Sequence, residues 1–122
     1  MALLRIRVSP ALKSTVFLAA GVAEINLSHW IRIILNAASG KDKLPRGFKP
    51  YKVKRIEEDY PPTSTITIRV TSEELDSYQL AAKSARLSLS MWCSIILSTV
   101  TGLSELKIQL TNLELQLYPP TG

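Results

Sequence analysis

"TITIRV" (residues 65–70) and "LLRIRV" (residues 3–8) are two short stretches in which apolar and polar side chains largely alternate. Alternation with a period of two is typical of a strand that has one buried face and one exposed face. The residues predicted to lie on the exposed face are Leu3, Arg5, Arg7, Thr65, Thr67 and Arg69. The two stretches are near-copies of each other, 62 positions apart, so one explanation should account for both exposed faces.

The 62-residue spacing extends well beyond the two strands. An ungapped alignment of residues 5–40 with residues 67–102 gives 14 identities in 36 positions. A duplicated unit changes the expected fold from one irregular domain to two copies of one motif. The chain therefore divides into a first copy (residues 1–40), a basic, proline-rich linker (41–64), a second copy (65–102) and a leucine-rich tail (103–122), all within one compact domain.

Each predicted strand is followed by the signals of a first helix. In copy two, Thr71 and Glu74 have the spacing of a capping box, which satisfies free amides at a helix start. In copy one, Ser9 is the expected N-cap and Pro10 takes the first helical position. Apolar residues at helical spacing predict the buried faces, formed by Leu12, Val16, either Ala19 or Ala20, and Ala23 in copy one and by Leu75, Tyr78, Ala82 and Ala85 in copy two.

A second helix follows in each copy. Asn26 and Ser88 are its expected N-caps, and Gly40 and Gly102 suit the left-handed residue just past its end. The helix is rich in Trp, Ile and Leu, so we expect it to form the centre of the core, with Trp30, Trp92 and Cys93 buried. The single cysteine excludes an internal disulfide bond and a multi-cysteine zinc site.

The leucines of the tail fit two patterns. Leu103, Leu106, Leu110, Leu113 and Leu117 follow helical spacing, whereas the alternation on both sides of "TN" (residues 111–112) fits a hairpin. We favour the extended structure because the alternation is complete on both sides of the turn.

Composition sets the broad class. The 122-residue chain has 46% apolar residues, a formal net charge of +5 and a pI near 9.6, which indicate a folded domain that favours an anionic partner. No apolar stretch reaches the roughly 18 residues that a membrane helix needs, and the N-terminus lacks the layout of a secretory signal, so we expect a cytoplasmic protein without a membrane partner. The early start of the first strand suggests a piece of a longer protein.

A single strand would leave its backbone groups unpaired, so the two copies should share one core. Antiparallel pairing of the two strands would place their apolar sides against four helices, and the 24-residue linker is long enough for this pairing. The expected fold is mainly α with a two-stranded antiparallel ribbon.

This pattern of strand, capped helix, turn and capped apolar helix resembles the ribbon-helix-helix superfamily of the Arc and MetJ type. The specific motifs are "RV" at the end of the strand and "LS.W" at the start of the second helix, and the resemblance covers 76 of the 122 residues. Most members are homodimers of one motif per chain, so the resemblance implies a tandem form, an intramolecular pseudo-dimer. Within the superfamily the arrangement is similar to accessory virulence proteins that act in T-DNA transfer. The resemblance implies double-stranded DNA as a partner, together with relaxosome or other transfer proteins. The implied location is a bacterial cytoplasm.

The resemblance also implies the site. Exposed ribbon residues of the family read base edges, and the six matching positions are Leu3, Arg5, Arg7, Thr65, Thr67 and Arg69. Arginine can offer paired donors to guanine, and threonine can bond a base edge or touch a thymine methyl. The start of the second helix grips a phosphate, and the matching residues are Leu27, Ser28 and His29 in copy one and Leu89, Ser90 and Met91 in copy two. Many relatives have an acidic residue where this chain has His29 and Met91.

The same features also fit simpler explanations. Exposed arginine and threonine are also ordinary residues for the solvent side of a strand. The linker's basic residues are either a solvated loop or a segment that slides along phosphates. The chain has one histidine and no recognisable catalytic set, so we expect no enzyme, no metal and no cofactor. The other functions considered are a transcriptional repressor of the same fold and a protein-interaction or antitoxin-like module whose tail docks a partner.

Overall fold

The computed structural model describes residues 1–46, residue 48 and residues 63–101. Its elements, in chain order, are β1 (Ala2–Val8), α1 (Pro10–Val22), α2 (Leu27–Ala38), β2 (Ser64–Val70), α3 (Ser72–Ser84) and α4 (Leu89–Val100). The expected mixture of four helices and a two-stranded antiparallel sheet is confirmed. The predictions for Gly102, for the tail and for most of the linker lie outside the described residues.

The elements of the two halves match in both order and length. Every boundary in β2, α3 and α4 equals the corresponding boundary in β1, α1 and α2 plus 62. Each strand begins one residue before the predicted stretch, so Ser64 belongs to β2 rather than to the linker. The repeat seen in the sequence is therefore a repeat of secondary structure.

The strands pair antiparallel over their whole length. Burial alternates strictly along both, and the buried residues are Leu4, Ile6, Val8, Ile66, Ile68 and Val70, as predicted. In this register Arg5 pairs with Thr67, the equivalent residue 62 positions away. The neighbouring pairs on the exposed face are Leu3 with Arg69 and Arg7 with Thr65. A shift of one residue would expose the apolar set, so burial specifies the register.

The helix starts are the predicted ones. Ser9 accepts a hydrogen bond from the Leu12 amide with Pro10 at the first helical position, and Thr71 and Glu74 form both bonds of a capping box. Asn26 and Ser88 cap α2 and α4. Each cap satisfies one of the amides that have no partner within their own helix.

The short turns between the helices use left-handed residues other than glycine. Glu24 and Arg86 both have a φ of 58°, and each follows the end of the first helix of its half. The amide of the next residue, Ile25 or Leu87, donates to a carbonyl five residues back, which completes a Schellman motif. Gly40, with a φ of 82°, fulfils the prediction made for the end of α2.

The two halves share one core. α4 packs on β1 and α2 packs on β2, so each strand is covered by a helix from the other half. Trp30, Trp92 and Cys93 are buried as expected. The prediction that Ala23 is buried was wrong, because Ala23 is the exposed C-cap of α1. Neither half could enclose its strand alone.

Candidate nucleic-acid interface

The outer face of the ribbon is formed by the six predicted residues. All six are exposed: Leu3, Arg5, Arg7, Thr65, Thr67 and Arg69. The face carries three arginines and no acidic residue. Each arginine lies opposite an uncharged residue, which avoids placing like charges directly across the strands. Leu3, with 57% of its surface exposed, is the one apolar member.

Two arginines of the outer face, Arg5 and Arg69, carry charges that no nearby carboxylate of the described residues neutralises. The ion pairs recorded among the described residues join Arg32 to Glu74 and Lys41 to Glu73. Within that part of the chain, neither Arg5 nor Arg69 has an acidic side chain at salt-bridge distance. Their guanidinium groups therefore remain available to an anionic or hydrogen-bonding partner.

The start of α4 lies directly beside the ribbon. The backbone amide of Arg7 donates a hydrogen bond of 2.8 Å to Oγ of Ser90. A hydroxyl has two acceptor lone pairs and one donor, so Ser90 can still donate to a phosphate oxygen. In the described part of the chain, the equivalent Ser28 makes no matching bond. This contact, which sequence reasoning did not predict, positions one predicted phosphate-contacting residue at the edge of the ribbon.

The caps use one amide at each predicted phosphate site. Asn26 Oδ1 accepts from the His29 amide at 2.8 Å, and Ser88 Oγ accepts from the Met91 amide at 3.2 Å. The amides left for an anion are those of the first two helical residues, which are Leu27, Ser28, Leu89 and Ser90. His29 and Met91 have exposed side chains; the imidazole of His29 can donate to a phosphate, whereas the thioether of Met91 has no donor and can make only van der Waals contact.

A groove runs along the outer side of α2 from its start towards the beginning of the linker. It has a volume of about 350 Å³ and is lined by His29, Arg32, Ile33, Asn36, Asp42, Lys43 and Pro45. Lys43 thus lies on the same groove as His29, which adds a basic linker residue near the start of α2. Most of the other linker lysines and arginines lie outside the described residues.

A polar cluster that sequence reasoning missed joins α2 to α3. Arg32 Nε donates to both carboxylate oxygens of Glu74 at 3.0 Å, and Asn36 Nδ2 donates to Glu74 Oε2 at 2.8 Å. The Tyr78 hydroxyl donates to Asn36 Oδ1. Glu74, which also completes the capping box of α3, is only 2% exposed. A signal for this cluster is present in the sequence. Arg32 and Asn36 are four positions apart, and so are Glu74 and Tyr78, so each pair shares one face of its helix.

The environment of Glu74 holds its carboxylate ionised. Burial alone raises its pKa, but hydrogen bonds from the Thr71 amide, Arg32 and Asn36, together with the charge of Arg32, lower the pKa to about 2. Every buried side-chain nitrogen or oxygen among the described residues has a hydrogen-bond partner. The Glu74 carboxylate is therefore a satisfied buried group, which Arg32 and Asn36 reach from the groove along α2.

The remaining candidate groups carry no site of their own. Burial raises the pKa of Cys93 to about 12, so its thiol stays protonated and unreactive. Across the described ranges, no three His, Cys, Asp or Glu residues come together in a way that could hold a metal ion.

No single described helix is long and apolar enough to cross a membrane; α1 and α2 pass that test only together, across a bend of 99°.

Comparison of the chain with protein-family models, curated proteins and solved structures finds no match. The resemblance to the ribbon-helix-helix superfamily therefore stays a prediction from the sequence.

Proposed function

We propose that the chain is a tandem ribbon-helix-helix protein whose two halves form an intramolecular pseudo-dimer, and that it binds double-stranded DNA. The matched element boundaries and the pairing of Arg5 with its equivalent Thr67 support this arrangement. A two-fold axis through that pair relates Arg7 to Arg69 and Leu3 to Thr65. The halves differ in sequence, so the symmetry is approximate.

The outer face of the ribbon is the observation that carries the DNA-binding proposal. Paired strands lie about 4.8 Å apart, so a two-stranded ribbon fits a major groove about 12 Å wide. Arg5, Arg7 and Arg69 can donate to guanine O6 and N7, while Thr65 and Thr67 suit base edges or thymine methyl groups. Leu3 can make an apolar contact with a thymine methyl.

The starts of α2 and α4 would hold the backbone on the two sides of the groove. Their free amides, at Leu27 and Ser28 and at Leu89 and Ser90, attract phosphate without reading sequence. The bond from the Arg7 amide to Ser90 supports a fixed distance between one of these sites and the ribbon. Side chains of His29 and Met91 would contact the same phosphates.

The sequence differences between the two halves determine the symmetry of the DNA site. Leu3 and Thr65 differ at equivalent positions, and so do Arg5 and Thr67, so the preferred site need not be palindromic. One ribbon reads few base pairs, so specificity would rise when several chains bind side by side. Phosphate contacts should make the affinity fall as salt rises.

We place this activity in the processing and transfer of plasmid DNA or T-DNA, as an accessory factor in a bacterial cytoplasm. The chain would act by binding, together with relaxosome or other transfer proteins, rather than by catalysis. A transcriptional repressor would use the same ribbon. A footprint over a promoter would favour the repressor, and a footprint near a transfer origin or border would favour the accessory factor.

The test is the double variant Arg5→Ala/Arg69→Ala in the full chain. Fluorescence anisotropy with short duplexes, repeated over a salt series, should show a loss of about 1 to 3 kcal/mol for each lost base contact. The control is Lys13→Ala/Lys83→Ala, which removes the same charge from lysines of α1 and α3, outside the ribbon, the linker and the starts of α2 and α4. We expect the control to lose much less affinity.

Equal losses of DNA affinity in the two variants would show that the ribbon arginines contribute only nonspecific positive charge. DNA affinity that survives in Arg5→Ala/Arg69→Ala would contradict the proposal and leave a protein-interaction module as the better explanation.

A further inference from the structure

The outward side of α1 is an apolar surface without a counterpart in the other half. Its members, here called the α1 outer face, are Phe17, Leu18 and Val22, which are 51%, 51% and 61% exposed. Leu18 and Val22 are four positions apart and share one side of the helix, and Phe17 borders them. The equivalent residues of α3 are Gln79, Leu80 and Ser84, of which only one is apolar. A patch of this kind usually marks a contact surface.

The first half shows where the chain goes after its last helix. The Asp42 amide donates to the Asn36 carbonyl at 3.1 Å, and Lys41 Nζ lies 3.7 Å from Glu73 Oε2 at the start of α3. Leu44 and Phe48 pack, partly buried, against the core. The segment after α2 therefore turns back onto the helices and reaches the first helix of the other half.

Residues 103–122 share only one identity with residues 41–60, Leu106 with Leu44, so the segment after α4 keeps only isolated apolar positions of the segment after α2. Adding 62 to the positions of Leu44 and Phe48 gives Leu106 and Leu110, so both apolar anchors have apolar equivalents. The pair of Lys41 with Glu73 becomes Leu103 with Ala11, in which both charges are replaced by apolar groups. In the pseudo-dimer, α1 is related to the end of α4 as α3 is related to the end of α2.

We infer that the C-terminal segment, residues 103–122, docks on the α1 outer face. The 13 residues of α1 extend for about 20 Å, and a 20-residue segment is long enough to follow them in either helical or extended form. Its leucines supply the apolar contact that the α1 outer face lacks. Attachment to the same chain gives the segment a high effective concentration compared with a second molecule.

This inference depends on the pseudo-dimer arrangement but not on DNA binding. The experiment compares the alkylation rates of two introduced thiols in the full chain, Leu18→Cys on the α1 outer face and Leu80→Cys at the equivalent place on α3. Leu80 is 67% exposed, so the two sites are matched in helix position and similar in exposure. Cys93 is buried with a raised pKa and does not compete. We expect Leu18→Cys to react about tenfold more slowly, because reaction requires the segment to open.

Variants in the segment show what causes the protection. Leu110→Asp/Leu113→Asp should raise the Leu18→Cys rate to that of Leu80→Cys, since both leucines belong to the helical and to the extended pattern. Gln109→Asp/Thr111→Asp adds the same charge outside both patterns and should leave the rate unchanged.

Equal rates at the two sites, or protection that persists in Leu110→Asp/Leu113→Asp, would overturn the inference. Protection that grows with protein concentration would also overturn it, in favour of a second copy of the chain. The assay contains no DNA, so its failure leaves the DNA-binding proposal intact, and the reverse also holds.

Discussion

Two contacts between the halves occupy equivalent places but differ in chemistry. Where α2 meets α3, Arg32 and Asn36 bond to Glu74, and Tyr78 bonds to Asn36. Where α4 meets α1, the equivalent residues are Ser94, Ser98, Leu12 and Val16. The first contact is a charged network, and the second is formed by small polar and apolar groups.

The difference shows that the halves are not interchangeable. Two copies of the second half would bring the buried Glu74 against Ser94 and Ser98, which offer no cation. A buried polar group without a partner costs about 1 to 3 kcal/mol, and a charged group costs more. The network therefore favours the pairing of unlike halves within one chain over the pairing of like halves between chains.

The largest effect is expected from breaking the network at Arg32. In Arg32→Ala, the carboxylate of Glu74, whose side chain is 3% exposed, loses its cation, and we expect a loss of about 3 kcal/mol in the free energy of unfolding. The matched variant Ser94→Ala changes the equivalent residue of α4 and should cost less than about 0.5 kcal/mol. Urea denaturation measures both. Similar losses in the two variants would show that the contacts do not differ in strength.

Acid should weaken the same contact. The pKa of Glu74 is lowered from 4.5 to about 2, so its contribution to stability is complete above pH 4.5 and is lost as the pH falls from 4.5 towards 2. Over this range we expect the wild type to lose on the order of 2 kcal/mol more than Glu74→Gln, which cannot ionise. Urea midpoints from pH 6 to pH 2 test this, and parallel curves for the two proteins would contradict it.

A smaller effect is expected where the helix starts meet the ribbon. Ser90→Ala removes the acceptor of the Arg7 amide and should lower the free energy of unfolding by about 1 kcal/mol. Ser28→Ala, the equivalent change at α2, should have little effect on stability. If the two variants unfold at the same denaturant concentration, the bond to Ser90 does not position α4.

The smallest effect is expected in the turns that the halves share. Glu24→Gly and Arg86→Gly should each stabilise the protein by about 0.5 kcal/mol, because glycine accepts a φ of 58° more readily than a residue with a Cβ. Gly40→Ala should destabilise the protein, because the φ of Gly40 is 82°. A Cβ there meets nothing within 4 Å, so the loss would come from backbone strain alone. Thermal unfolding measures all three. Destabilisation by both glycine substitutions would contradict this explanation.

Much of the fold could be predicted because its signals are local. Alternation predicted both strands and the exposed positions from Leu3 to Arg69, since side chains of a strand point to opposite sides wherever the strand lies. Ser9, Asn26, Thr71 and Ser88 were recognisable as caps because a cap bonds within three residues of itself. The strict repeat then made antiparallel pairing the expected solution.

The rest depended on residues that are far apart in sequence. The burial of Glu74 required Arg32, which is 42 positions away, and the bond from Arg7 to Ser90 spans 83 positions. Ala23 fits the helical period of α1 but lies at the end where the chain turns away, so it remains exposed.

The sequence by itself determined the elements, their caps and the outward set of arginine and threonine residues, because each depends on neighbours within a few positions. Only the tertiary structure decided that Arg5 pairs with Thr67, that α4 begins beside Arg7, and that one contact between the halves is charged. The physical reason is that such contacts are selected by the packing of a shared core, whose partners no local pattern specifies.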